Sequence, residues 1–256
     1  MRIPVLSLQV SPYGLAEATE RILEWAVAGE SRSVCAANVH MVMEAHDDPE
    51  FAGRVNGADL VTPDGMPVAW ALRFQGIHHQ QRVSGPELML EVCRLAALQG
   101  IPVGFHGGRP EVLEALTSEI HRRFPAIFIT YAVSPPFHPL SEAEEAETLN
   151  SIRASGTRIL FVGLGCPRQE QWMATHRGII PAVMLGVGAA FDFHAGTLRK
   201  APLWMQRAGL EWAFRLAMEP RRLFWRYFKH NPRFILLLAL QLLRSATPSR
   251  KPLDIV

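Results

Sequence analysis

The 256-residue sequence predicts an α/β fold, a parallel-rich sheet flanked by helices and followed by a basic helical appendage at the C-terminus. Three observations predict it. Over the first 190 residues, short apolar and β-branched runs alternate with longer amphipathic ones, the pattern of parallel strands joined by crossing helices. Several strand-to-helix turns carry glycine pairs, as expected where backbone closely approaches a ligand. Charge is divided as well. Residues 1–198 hold 14 Lys+Arg against 21 Asp+Glu, whereas residues 199–256 hold 12 against 3, so a body of net charge −7 precedes a tail of +9.

Taken in order, strands are expected at Ile3–Leu8, Ser33–Ala37, Asp59–Thr62, Ile101–His106, Ile127–Val133, Ile159–Gly163 and Ala182–Leu185. Helices are expected between them at Leu15–Ala28, Asn38–Ala45, Pro67–Phe74, Pro86–Leu98, Pro110–Phe124, Glu142–Ala154 and Arg168–Thr175. Pro86 and Pro110 sit where a first helical turn tolerates proline, and Ser141 with Glu144 fits a capping box. After Phe193 the alternation stops. The tail reads as helices over Trp204–Met218, Arg221–Lys229 and Phe234–Leu243, separated by Pro220 and Pro232. The chain thus divides into a body, 1–198, and an appendage, 199–256, that holds three of the six tryptophans.

Composition excludes several classes. With 48% hydrophobic residues and 20% charged ones, the chain is neither disordered nor fibrous. Its three cysteines, Cys35, Cys93 and Cys166, have no C-x-x-C spacing, so no disulfide framework or four-thiolate zinc site is expected, and a cytoplasmic setting is. The N-terminus makes a poor secretion signal, and the longest apolar stretch, Phe234–Leu240, falls short of the roughly 20 residues of a bilayer span.

An open parallel sheet binds its ligand beyond the carboxyl ends of its strands. There stand Val103–Pro110 with Gly107 and Gly108, Phe161–Glu170 with Gly163 and Gly165, and Leu185–Ala189 with Gly186 and Gly188. Each is a glycine turn that can present backbone N–H groups to a phosphate. Gly163-Leu164-Gly165 begins a dinucleotide fingerprint but has Arg168 in the third glycine position, and no Walker A loop is present. Val61–Pro67 sets Asp64 between Pro63 and Gly65 at a strand end, as a general base is presented to a cleft or as a helix N-cap is placed. Arg82 precedes another helix start. His46-Asp47-Asp48, His78-His79 and Asp192-Phe193-His194 contain metal-ligand types without metal-site spacing, so no metal and no cofactor is expected. In the tail, Arg215, Arg222 and Arg226 lie seven and four residues apart and could share a face able to neutralise a diphosphate.

In combination these motifs resemble the WecG/TagA/CpsF family of bacterial glycosyltransferases. They are Asn38 after a strand, Thr62-Pro63-Asp64-Gly65-Met66, Arg82-x-x-Gly85, His106-Gly107-Gly108-x-Pro110, Gly163–Glu170, Gly186–Asp192 and Arg199-Lys200-Ala201-Pro202 leading to Gly209–Arg215. The likeness runs from about Ser33 to about Phe234. It implies a Rossmann-like body and an inverting, metal-independent transfer of a sugar from a UDP-sugar to a polyprenyl-diphosphate-linked saccharide, in surface polysaccharide or wall polymer synthesis. It further implies Asp64 as base, Arg215, Arg222 and Arg226 as catalytic cations, and substrate contacts from Asn38, Thr62, Arg82, Gly107, Gly108, Gly165, Gln169, Glu170 and Gly188.

The sequence departs from the family at Ala36, where a threonine is common, at Pro135-Pro136-Phe137, and at Glu87, where an aspartate is usual; the donor sugar is therefore left open. The partners expected are the donor, the lipid-linked acceptor and the anionic inner face of the cell membrane, with peripheral attachment. Nucleic acid is not among them, because the tail's aromatics accompany a long aliphatic run. A homo-oligomer is compatible with all of this. Two other classes compete, an NAD(P)-binding oxidoreductase and a non-enzymatic membrane adaptor using only the +9 tail.

Overall fold

The structure, a computed structural model, describes residues 1–136, 138 and 140–246. Phe137 of the Pro135-Pro136-Phe137 segment and the appendage beyond residue 246 lie outside the described residues.

The chain opens with two short strands, β1 (Ile3–Val5) and β2 (Leu8–Val10), and helix α1 (Leu15–Ala28). Next come β3 (Arg32–Ala37), α2 (Val39–Asp47), α3 (Pro49–Asn56), β4 (Leu60–Pro63), α4 (Met66–Phe74) and α5 (Gly85–Gln99). Then follow β5 (Val103–Gly107), α6 (Pro110–Arg123), β6 (Ile129–Val133), α7 (Glu142–Ala154), β7 (Ile159–Gly163), α8 (Arg168–His176), β8 (Val183–Gly186) and α9 (Ala190–His194). The appendage holds α10 (Leu203–Arg207), α11 (Glu211–Met218) and α12 (Pro220–Ala246).

Strands β3 to β8 form one six-stranded sheet in the order β4-β3-β8-β7-β5-β6, and every pairing in it is parallel. The fold is the expected Rossmann-like α/β sandwich. Both faces of the sheet are apolar because both are covered, which is why the central strands read as continuous hydrophobic runs. One buried cluster packs α1, α5, α6 and α9 on one face, and the other packs α2, α3, α4 and α8 on the opposite face. Phe234 and Leu238 of α12 belong to the second cluster, so the appendage helix completes the body's core.

Several elements differ from expectation, among them the short helix α9, which was not expected. The single strand expected at Ile3–Leu8 is a hairpin, with Ile3 paired to Val10 and Val5 to Leu8. Val5 and Leu8 are both fully buried although three residues apart, which one strand of period two does not permit; the chain reverses between them through Leu6 at φ 52°. Helix α3 was not expected, yet Asp48 caps it, accepting from the N–H groups of Glu50 and Phe51, with Pro49 in its first turn. The helix expected over Trp204–Met218 breaks at Gly209, which has φ +70° and lies where a Cβ would sit 2.6 Å from the Trp70 ring. The two helices expected on either side of Pro232 are one, α12, which starts at Pro220 and runs through Pro232. An internal proline costs a helix about 3 kcal/mol. Burial of His230, Phe234 and Leu238 outweighs it.

Candidate active site

The carboxyl ends of β3, β4, β5, β7 and β8 open into one cleft of about 1240 Å³, whose opposite wall comes from α10, α11 and the first turns of α12. Eight arginines and lysines line it against five aspartates and glutamates, so the acidic body and basic tail combine into a net cationic pocket. Such a cleft concentrates anionic ligands.

Asp64 leaves the end of β4 and is fixed by backbone. Its N–H donates to the Ala37 carbonyl at 2.9 Å, and Asn38, the N-cap of α2, donates from Nδ2 to its Oδ2 at 3.3 Å. The N–H of Gly85 also donates to the carboxylate. Burial, and next the negative charge of Glu211, raise the Asp64 pKa from 3.8 to about 6, against the opposing pull of Arg82. A carboxyl held there is a stronger base than a solvated aspartate and is still ionised at neutral pH.

Arg82 joins the body to the appendage. It donates to Glu211 Oε2 at 2.5 Å and to Gln206 Oε1 at 3.0 Å, and also to Glu87 of the following helix α5 at 3.3 Å. Glu87 in turn accepts from Ser84, the N-cap of α5, at 2.6 Å.

Three glycine turns form the floor. Gly107, at φ +122°, brings β5 so close to β7 that a Cβ would lie 2.6 Å from the Gly163 carbonyl, which accepts from Gly108 N–H at 3.1 Å. Gln169 ties the other two turns together. Its Oε1 accepts from Gly165 N–H at 3.2 Å and from Gly188 N–H at 3.1 Å, while its Nε2 donates to Glu170 Oε1 at 2.6 Å. Burial lifts the Glu170 pKa to about 7, and its Oε2 is buried without a partner.

The appendage supplies cations. Arg215 stands over the Phe193 ring at 5.6 Å with its Nε buried and unpartnered, and Arg222 donates to Glu219 at 2.6 Å. Arg226 has no acidic partner among the described residues. Burial, then repulsion from Arg222 and Arg215, pulls its pKa below the usual arginine value. Three guanidinium groups in mutual repulsion form a site that an incoming dianion relaxes.

Of the residues expected at the site, Asn38, Asp64, Arg82, Gly108, Gly165, Gln169, Gly188, Arg215, Arg222 and Arg226 line this one cleft. Thr62, Gly107 and Glu170 do not. Thr62 is fully buried with its hydroxyl on the Val83 carbonyl at 3.3 Å, where it supports the segment carrying Arg82. Gly107 permits the strand approach, and Glu170 stands behind Gln169. Sequence reasoning gave no role to Glu211, although it is one of only three acids in the basic tail. Lys200, half-buried on the cleft wall with its pKa lowered by burial, had no expected role beyond its place in the Arg199-Lys200-Ala201-Pro202 run.

Among known families, the one described as "Glycosyl transferase WecG/TagA/CpsF family" matches residues 3–248 of the chain. Among curated proteins, the chain is similar to one from Bacillus spizizenii named N-acetylglucosaminyldiphosphoundecaprenol N-acetyl-beta-D-mannosaminyltransferase. The two are 29% identical over 216 residues, which cover 84% of this chain and 81% of the relative.

Proposed function

Because the chain belongs to the WecG/TagA/CpsF family and is a glycosyltransferase, we propose that its cleft transfers a sugar from a UDP-sugar to a saccharide borne on a polyprenyl diphosphate. The Bacillus relative's name gives N-acetylglucosaminyl-diphosphoundecaprenol as its acceptor, and a cationic cleft suits an acceptor of that diphosphate class. The proposed product is an intermediate of a wall or surface polysaccharide.

The observation that carries this reading is the meeting of Asp64, with its raised pKa, and Arg215, Arg222 and Arg226 in one cleft. In the proposed reaction the acceptor hydroxyl attacks the anomeric carbon on the face opposite the nucleotide. Asp64 takes the hydroxyl proton as the new C–O bond forms. The bond from the anomeric carbon to the β-phosphate oxygen breaks, its electron pair leaves with UDP, and configuration inverts. Arginines meet the charge growing on UDP, so the proposed chemistry is metal-independent. The glycine turns and Gln169 hold the donor, while Asn38 and Arg82 orient the reacting sugars.

Residues 199–256 act in this reading as site cover and membrane contact. No helix among the described residues is long and apolar enough to cross a membrane. Trp225, Phe228, Ile235, Leu236 and Leu243 nevertheless fall on one exposed face of α12, with Arg221 and Arg222 at its start. That arrangement supports docking on an anionic bilayer surface, where the lipid-linked acceptor resides.

Asp64→Asn tests the proposal. Turnover, read as UDP release with a short-chain lipid diphosphate acceptor, should fall by about 10² to 10⁴, while UDP affinity by titration stays within twofold. Undiminished turnover in that variant would remove the base assignment.

A further inference from the structure

We propose that His40, Glu44 and His230 form a binding site for a zinc-class divalent cation that staples α12 of the appendage to α2 of the body. His40 and Glu44 lie one helical turn apart on α2, and α12 brings His230 against them. His40 Nδ1 is 3.6 Å from Glu44 Oε1, and His230 Nε2 is 3.4 Å from that same oxygen. One ligand atom from each of the three residues lies within 4.8 Å of the other two. Ligand atoms around tetrahedral zinc, bound at about 2.0–2.1 Å, stand roughly 3.4 Å apart. Two of the three separations are therefore already close to the required value, and the third is no more than 4.8 Å.

The hydrogen bonding points to a missing partner. His40 Nδ1, the atom that faces Glu44, is buried without a hydrogen bond, and the His230 side chain that brings Nε2 to the same oxygen is only 5% exposed. A deprotonated imidazole nitrogen offers the lone pair, and a carboxylate the oxygen, that a metal ligand requires. Two nitrogens and one carboxylate oxygen select a borderline ion of the zinc class over magnesium or calcium. His40 also lines the cleft. Of the nearby cations, Lys229 is engaged by Asp47 at 3.3 Å, and Arg226 is the one that opposes the ion.

This inference goes beyond the proposed transfer, whose chemistry does not pass through the metal. Its consequence is mechanical. The helix that carries Arg222 and Arg226 would be pinned to the helix capped by Asn38, so metal occupancy would set how firmly the appendage is docked.

The test uses the full chain, stripped of metal and titrated with Co²⁺ followed by Zn²⁺. The wild type should take one equivalent of Co²⁺ with the intense visible bands of tetrahedral coordination, and Zn²⁺ should displace it and raise Tm by several degrees. His230→Asn and Glu44→Gln, both near-isosteric, should each lose the bands and the Tm shift and weaken Co²⁺ binding at least tenfold. A wild type without saturable tetrahedral binding overturns the proposal regardless of how the variants fold. So does an unchanged spectrum in both variants, which would assign the ion to other histidines such as His78 and His79. None of these readouts uses turnover, so loss of the staple would leave the transferase reading standing.

Discussion

The two walls of the cleft are built differently. Asp64 follows a strand whose four residues are all buried, and its N–H is bonded to the neighbouring strand. The opposite wall comes from α10 and α11, which have no buried residue, and from the first turns of α12, where Leu223 alone is fully buried before His230. That wall is held by polar contacts, chiefly Arg82 with Glu211 and Gln206. Packed cores do not deform continuously, whereas a wall joined chiefly by part-buried polar contacts has little apolar packing to hold it in one place. The proposed base is thus fixed in place, and the cations proposed to answer the leaving group stand on the half that can adjust. Only the far end of α12 breaks the rule, because Phe234 and Leu238 enter the body's core while Arg233 and Lys229 pair with Asp47.

The largest expected effect probes that exception. Phe234 is 2% exposed, and truncation of a buried phenylalanine costs about 3–5 kcal/mol. Phe234→Ala should lower the midpoint of thermal unfolding by roughly ten degrees, since each kcal/mol moves a domain of this size by about 2–4 °C. An unchanged melting curve would mean that α12 does not belong to the core and that the two walls share no packing.

Arg226 tests the adjustable wall with nearly the opposite signature. Removing one preorganised donor to a developing anion costs about 10²–10³ in turnover. Arg226→Ala should show that loss in kcat with no loss of thermal stability, since its burial beside Arg222 and Arg215 already disfavours the charge. Equal losses of kcat and Tm would make the residue a structural one.

The sheet wall was the more legible of the two in the sequence, and the contrast explains why. Asn38, Asp64 and Gly108 directly follow a strand and Gly165 and Gly188 come two residues after one, and strands announce themselves by apolar runs ending in glycine or a helix-capping residue. Once the strands are parallel, their carboxyl ends must share one edge. The reversal between Val5 and Leu8 left a weaker trace, because only burial shows that two residues three apart face the same way. The continuity of α12 through Pro232 was hidden, since a proline reads as a stop unless the tertiary gain is known. Hidden too was the Arg82–Glu211 pair, which joins residues 129 positions apart. Contacts of that kind follow no period, and the appendage wall is made mostly of them.

Glu211 links the walls electrostatically and carries a smaller effect. After burial, its charge is the next largest cause raising the Asp64 pKa to about 6. The base must be ionised to accept a proton, so kcat/KM should fall about tenfold per pH unit below roughly pH 6. Glu211→Gln should move that acidic limb to lower pH, and a limb that stays in place would show that the appendage does not reach the base. For stability the sign is the reverse. The folded pKa exceeds the unfolded value of 3.8, so this group favours the fold below about pH 4, and the contribution is lost as pH rises through about 6. Asp64→Asn should therefore unfold no more easily than wild type at pH 8.

The smallest effect separates the appendage's outer face from both walls. Trp225 is 72% exposed, and its ring meets Phe224 at 5.5 Å and Phe228 at 6.2 Å on the same helix. Little packing is lost when such a residue is changed, so Trp225→Ser should alter folding stability by no more than about 0.5 kcal/mol. UDP affinity in solution should be unchanged. Binding to anionic vesicles should weaken severalfold, because an indole at the headgroup level contributes through buried apolar area and its loss is not offset by the flanking arginines. Arg221→Gln should weaken vesicle binding as well, but only at low salt, since its attraction to lipid is screened over about 8–10 Å at physiological ionic strength. If both variants bound vesicles like wild type, the exposed stripe of α12 would face something other than a membrane, and the adjustable wall would owe its looseness to the sugar acceptor alone.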